Sequence, residues 1–145
     1  MNNFLDDINK AKEERFSQKQ EVINEIVTHF YNEINKPEFD EKLKERIIKD
    51  IKTDRVPWLE IRYWKYHDGC DTTHFGMSYC KNFYGNGEYH NSSHNGVELW
   101  DIRYDVVKRL CEIYEDKLHS LGLRYDRSFK PNGLEYPEYR YDLIV

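Results

Sequence analysis

Between Trp100 and Leu121 the apolar residues recur at helical spacing. Trp100, Tyr104, Val107, Leu110, Cys111, Tyr114, Leu118 and Leu121 line one side of a helix of about six turns. So wide an apolar stripe is stable in water only when buried, which commits the chain to a layered fold with other elements packed along it. Gly122 followed by Leu123 reads as a Schellman stop, with Leu123 folding back on the last turn.

Two helices precede this one. Residues 3–14 read as helical but are polar after Ile8, and Ser17 with Gln20 offers a capping box that restarts or continues the helix. Val22, Ile23, Ile26, Val27, Phe30, Tyr31 and Ile34 then form a buried stripe. Asn35-Lys36-Pro37 ends it, and Pro37 suits the first turn of a second helix with the stripe Phe39, Leu43, Ile47, Ile48 and Ile51. So short a connection predicts an antiparallel helical hairpin.

The remaining segments alternate. In Trp58 to Tyr66, Leu59, Ile61 and Tyr63 alternate with Glu60, Arg62 and Trp64; Phe75, Met77, Tyr79 and Phe83 alternate with smaller or polar residues. Asp68-Gly69 between them predicts a β-hairpin, and Asn86-Gly87 returns a third strand through Glu88-Tyr89-His90. Leu123, Tyr125, Arg127 and Phe129 share a face of one late strand. Tyr139, Tyr141, Leu143 and Val145 share a face of the last, opposite Glu138, Arg140 and Asp142. The expectation is a single α+β domain over residues 1–145. It comprises an N-terminal helical hairpin (1–54) and an antiparallel or mixed sheet of about four to five strands, with one long helix packed on it (58–145).

Composition narrows the function classes. The apolar share is 39%, but 12 Tyr, 7 Phe and 3 Trp supply large buried areas, which excludes a disordered chain. Net charge is −5, and the 11 basic and 13 acidic residues of 1–57 nearly match the 11 and 14 of the rest. No basic arm or acidic tail stands out. Acidic residues early in the sequence, no apolar run of membrane-spanning length and three cysteines without a C-x-x-C pair predict a cytoplasmic protein with free thiols and no membrane partner. Abundant Asn, Lys, Ile and Tyr suit an AT-rich gene, such as a phage or low-GC bacterial one.

Candidate chemistry concentrates in residues 67–94. His67, Cys70, His74, His90 and His94 bring nitrogen and sulfur donors together, with Asp68 and Asp71 beside them. That set could hold zinc from two adjacent loops, although the spacing is not that of a zinc finger, and ordinary polar turns explain the same residues. His90 to Asn95 before a long helix superficially resembles a His-metal nuclease. Glu98, Asp101 and Asp105, however, are better explained as charges opposing the helix dipole. There is no G-x-S-x-G elbow, P-loop, G-x-G-x-x-G or H-E-x-x-H. Cys111, on the apolar stripe, reads as a packed thiol.

The aromatic strand suggests binding. Trp58, Trp64 and Tyr66 share one sheet face, opposite Leu59, Ile61 and Tyr63, and Arg62 and Lys65 lie among them along the strand. Such a patch marks a protein interface or a stacking platform for single-stranded nucleic acid, and the net negative charge favours the interface. The leading expectation is a non-catalytic protein-interaction module (an inhibitor, adaptor or assembly component). It would contact a protein partner through Trp58, Arg62, Trp64, Tyr66, Tyr84 and Tyr89, without a cofactor. The alternatives are a metal-dependent hydrolase or nuclease, or a metal-stabilised fold, on the zinc-competent cluster, and a single-strand nucleic-acid binder. Phe4, Leu5 and Ile8 have no obvious cover, which leaves room for a homo-oligomer.

Overall fold

The structure, a computed structural model, describes residues 3–62, 76–77, 93–129 and 137–145. Helix α1, Asn3–Ile34, runs unbroken for 32 residues, about 48 Å at 1.5 Å per residue. Ser17 is interior to it, so the capping pair marks a continuation of the helix rather than a new start. Val22, Ile23, Ile26, Val27, Phe30 and Ile34 are buried. Tyr31, expected among them, points to solvent because it lies beyond their arc on the helix wheel.

Lys36 is extended and Pro37 opens helix α2, Pro37–Lys52, where a missing N–H costs nothing. Leu43 is buried, with Phe39 and Ile47 packed beside it, whereas Ile48 and Ile51 are exposed. At 100° per residue Ile48 falls opposite Phe39, and the inward position goes to Asp50. That buried carboxylate is held by Arg46 Nε at 2.9 Å. Asp54 takes a left-handed conformation (φ 57°) while Arg55 N–H donates to Asp50 O and Asp54 N–H to Ile51 O, closing α2 with a Schellman motif.

Strands β1 (Trp58–Arg62), β2 (Gly76–Met77), β5 (Arg124–Phe129) and β6 (Glu138–Ile144) form one sheet in the order β2-β1-β6-β5. β1, β6 and β5 are antiparallel. β2 is only two residues long and lies parallel to β1, with Glu60 opposite Gly76 and Ile61 opposite Met77. The pairing of β1 with the 75–83 segment is therefore not the β-hairpin expected, since a hairpin pairs its strands antiparallel. Nor do four or five full strands appear among the described residues: the sheet is three antiparallel strands with β2 on its edge. The strand expected at Glu88–His90 lies outside the described residues.

β3 (Ser93–His94) and β4 (Val97–Glu98) make a separate small hairpin. Asn95 and Gly96 between them both have positive φ, as a two-residue turn joining twisted strands requires. A short 3-10 helix, Leu99–Ile102, leads into α3, Arg103–Ser120. Leu123 N–H donates to Leu118 O and Gly122 N–H to His119 O, so the Schellman stop falls where expected, with Gly122 at φ 73°.

α3 is the centre of the packing. Its buried face (Val106, Val107, Leu110, Cys111, Tyr114 and Leu118) meets α1 and the inward sheet residues Leu59, Ile61, Tyr141 and Leu143. α2 joins it through the Phe39 ring against Tyr114 and the Lys117–Asp40 ion pair at 2.8 Å. Among the described residues no helix is long and apolar enough to cross a membrane.

Candidate functional site

Among the described residues a group of exposed large apolar side chains lies on the N-terminal half of α1. Arg15 Nη1 donates to Gly96 O at 2.9 Å and Gln18 Nε2 to Asn95 O at 2.6 Å, so the β3–β4 turn grips the helix there. Every residue from Asn3 to Glu14 is exposed. Phe4 is 76% exposed, Leu5 53%, Ile8 38% and Phe16 64%.

These four rings and branches are not scattered. At 100° per residue Phe4, Leu5, Ile8 and Phe16 fall within the same arc as Val22, Ile23, Ile26 and Val27. That arc of α1 is buried from Val22 onward and bare before Ser17, where the cations Lys12 and Arg15 lie among its apolar side chains. Taking about 200 Å² for a full phenylalanine, the four side chains expose roughly 400 Å². That is within the size of the largest apolar patch on a typical monomer, which is often a functional one.

The sheet face away from α3 is built differently. Trp58, Glu60 and Arg62 stand in register with Asp142, Arg140 and Glu138. The half-buried Trp58 ring has the Arg46 guanidinium at 5.9 Å and that of Arg140 at 4.7 Å. Arg140 Nε also pairs with Asp142 Oδ1 at 2.9 Å. Glu60 and Glu138 are each only 7% exposed. Charged groups thus crowd the one described ring of the expected aromatic patch, which is not an open platform at Trp58.

Of the other residues expected to bind or catalyse, Arg62 ends β1 opposite Glu138, and His94 ends β3 opposite Val97. Trp64, Tyr66, Tyr84 and Tyr89, and the metal candidates His67, Cys70, His74 and His90, lie outside the described residues. Among the described residues no group of three His, Cys, Asp or Glu side chains is placed to hold a metal ion. Asp101 and Asp105 sit in first helical turns and are exposed, as expected of charges facing the dipole.

Sequence reasoning missed one polar cluster. Glu115 on α3 accepts from Tyr125 Oη at 2.8 Å and Tyr141 Oη at 3.3 Å, with Arg127 Nη1 at 3.3 Å. Burial pushes the neighbouring Cys111 thiol up to about 11 and the Tyr141 phenol well above its usual range, the latter helped by Cys111 and Glu115. These groups lock α3 to β5 and β6 in their neutral thiol and phenol forms, so Cys111 is a packed thiol and not a nucleophile. The available signal was Glu115 one turn after Cys111 on the edge of the apolar stripe.

Comparison with protein-family models finds no match, and comparisons with curated proteins and with solved structures find none either.

Proposed function

We propose that this chain is a protein-interaction module whose contact surface is the exposed N-terminal half of α1. One observation carries the reading: Phe4, Leu5, Ile8 and Phe16 lie uncovered on the arc of α1 whose later residues build the core, with Lys12 and Arg15 among them. Exposing Phe4, Leu5, Ile8 and Phe16 to water costs free energy that docking recovers. Trp58 is a weaker candidate contact, since two guanidinium groups already lie over its ring.

Affinity purification of the tagged chain from the cells that make it tests this. Proteins that co-purify, including an untagged copy of the chain, are lost on Ile8→Asp and kept on Trp58→Ala. Retention of every companion in the Ile8→Asp variant, with the chain folded, would remove α1 as the contact surface.

A further inference from the structure

We infer that the exposed arc on the N-terminal half of α1 takes an acidic amphipathic helix of a partner protein. The partner sets apolar side chains beside Phe4, Leu5 and Ile8 and carboxylates beside Lys12, Arg15 and Lys19. This rests on the interaction-surface reading and names the chemistry of the partner.

Charge carries the inference, because the helix sorts its charges by face. At 100° per residue Lys12, Arg15 and Lys19 fall among the exposed apolar side chains, whereas Asp6, Asp7, Glu13 and Glu14 all fall outside that arc, around Lys10. Lys10 thus has a carboxylate at every position three and four residues away. The three cations of the arc have none at those positions. They have one another instead: Lys12 with Arg15 and Arg15 with Lys19 are like-charge pairs, which disfavour the helix they stand on. Arg15 Nη1 donates to Gln18 Oε1 and Gly96 O, both neutral, so its charge stays uncompensated. Among the described residues no carboxylate pairs with any of the three. A second copy of the chain would bring these cations against themselves, whereas a row of carboxylates relieves the repulsion.

Spacing favours a helical partner. The cations rise by about 4.5 and 6 Å along α1, the rises at which carboxylates three and four residues apart recur on another helix. Phe4, Leu5 and Ile8, also three and four residues apart, supply apolar anchors at the same period. The roughly 400 Å² of exposed apolar side chain suits a small, transient contact. An anionic bilayer fits the arc less well. From Val22 onward the same arc is packed into the core, so a flat surface laid along it meets the described body. Single-stranded nucleic acid stacks its bases on ring faces, and Leu5 and Ile8 offer none.

Fluorescence anisotropy with the full chain tests the inference. The probe is a labelled synthetic helix with leucines along one stripe and glutamates beside it; the control peptide has lysine in place of each glutamate. At low salt the glutamate peptide should bind at least about tenfold more tightly than the lysine peptide, and added salt should weaken it. Lys12→Glu combined with Lys19→Glu should reverse the preference, with the circular dichroism and thermal melt of the chain retained. Arg15 is left in place because it holds the Gly96 turn. No binding of the glutamate peptide, equal binding of the two peptides, or a preference that survives the double substitution overturns the inference. So does tighter binding of phosphatidylserine vesicles or of a single-stranded thymidine oligonucleotide. If one of these results is found while companions of the chain still depend on Ile8, the partner's chemistry is wrong and the interaction module stands. If no companion depends on Ile8, both fall.

Discussion

Gly96 shows how much one residue holds in place. Its φ is +76°, and a Cβ there would stand 2.9 Å from Gln18 Nε2, the atom that donates to Asn95 O. Gly96→Ala therefore strains the turn and loosens its grip on α1 together, an expected loss of about 1–3 kcal/mol. Chemical denaturation checks this; an unchanged midpoint would mean the turn does not anchor the helix. The Glu115 cluster gives a pH dependence. Cys111 rises from a usual 9.0 to about 11 on burial, and the Tyr114 and Tyr141 phenols are also raised. A group whose pKa is higher in the folded chain adds stability that is complete below its unfolded value and is lost as pH climbs through the folded one. Stability should hold at mildly alkaline pH, decline from about pH 9 and fall further as the phenols are driven to ionise. Tyr141→Phe should lower stability at neutral pH by about 1–2 kcal/mol, through its lost bond to the Glu115 carboxylate, and flatten the alkaline decline. Unfolding curves from pH 7 to about 12 read both effects, and a pH-independent midpoint would contradict them.

Among the elements, the helices were legible wherever spacing alone decides burial. Most of the stripe of α3, the buried second half of α1, Pro37 at the start of α2 and the stop at Gly122 follow from local pattern, whereas Tyr104 and Leu121, expected on that stripe, are exposed and its first residues form the 3-10 helix Leu99–Ile102. The misread position on α2 has a physical cause. Asp50 looks like a surface residue until Arg46, one turn earlier, neutralises it on the inward face and leaves Ile48 outside. β1 and β2 were misread because Asp68-Gly69 is a local signal, whereas parallel or antiparallel pairing is decided by where the rest of the chain goes. α1 yields a further prediction. Ile26→Ala, in the core, should cost about 2–5 kcal/mol. Ile8→Ser on the same arc should change the stability of the monomer by no more than about 0.5 kcal/mol. Comparable losses from both substitutions would mean that the N-terminal turns are packed within the chain.

For the whole molecule, the sequence showed rings on a sheet face but not what would lie over them. Strand alternation put Trp58 on the outward side, and the arginines that crowd it come from the preceding helix α2 and from β6, which is distant in sequence. The reverse holds for α1. Phe4, Leu5 and Ile8 were visible as apolar residues without cover, but Phe16 was not, because periodicity does not say where along a helix the body ends. That limit is set by the Asn95–Gly96 turn, whose contacts with Arg15 and Gln18 join positions about eighty residues apart. The central claim is that one stripe serves two purposes, core from Val22 onward and intermolecular contact before Ser17. Amide hydrogen exchange along α1, with and without the proteins that co-purify with the chain, tests it most directly. Protection over residues 3–17 should rise in their presence while that of Val22–Ile34 stays constant. Protection of residues 3–17 that is the same with and without them would contradict it.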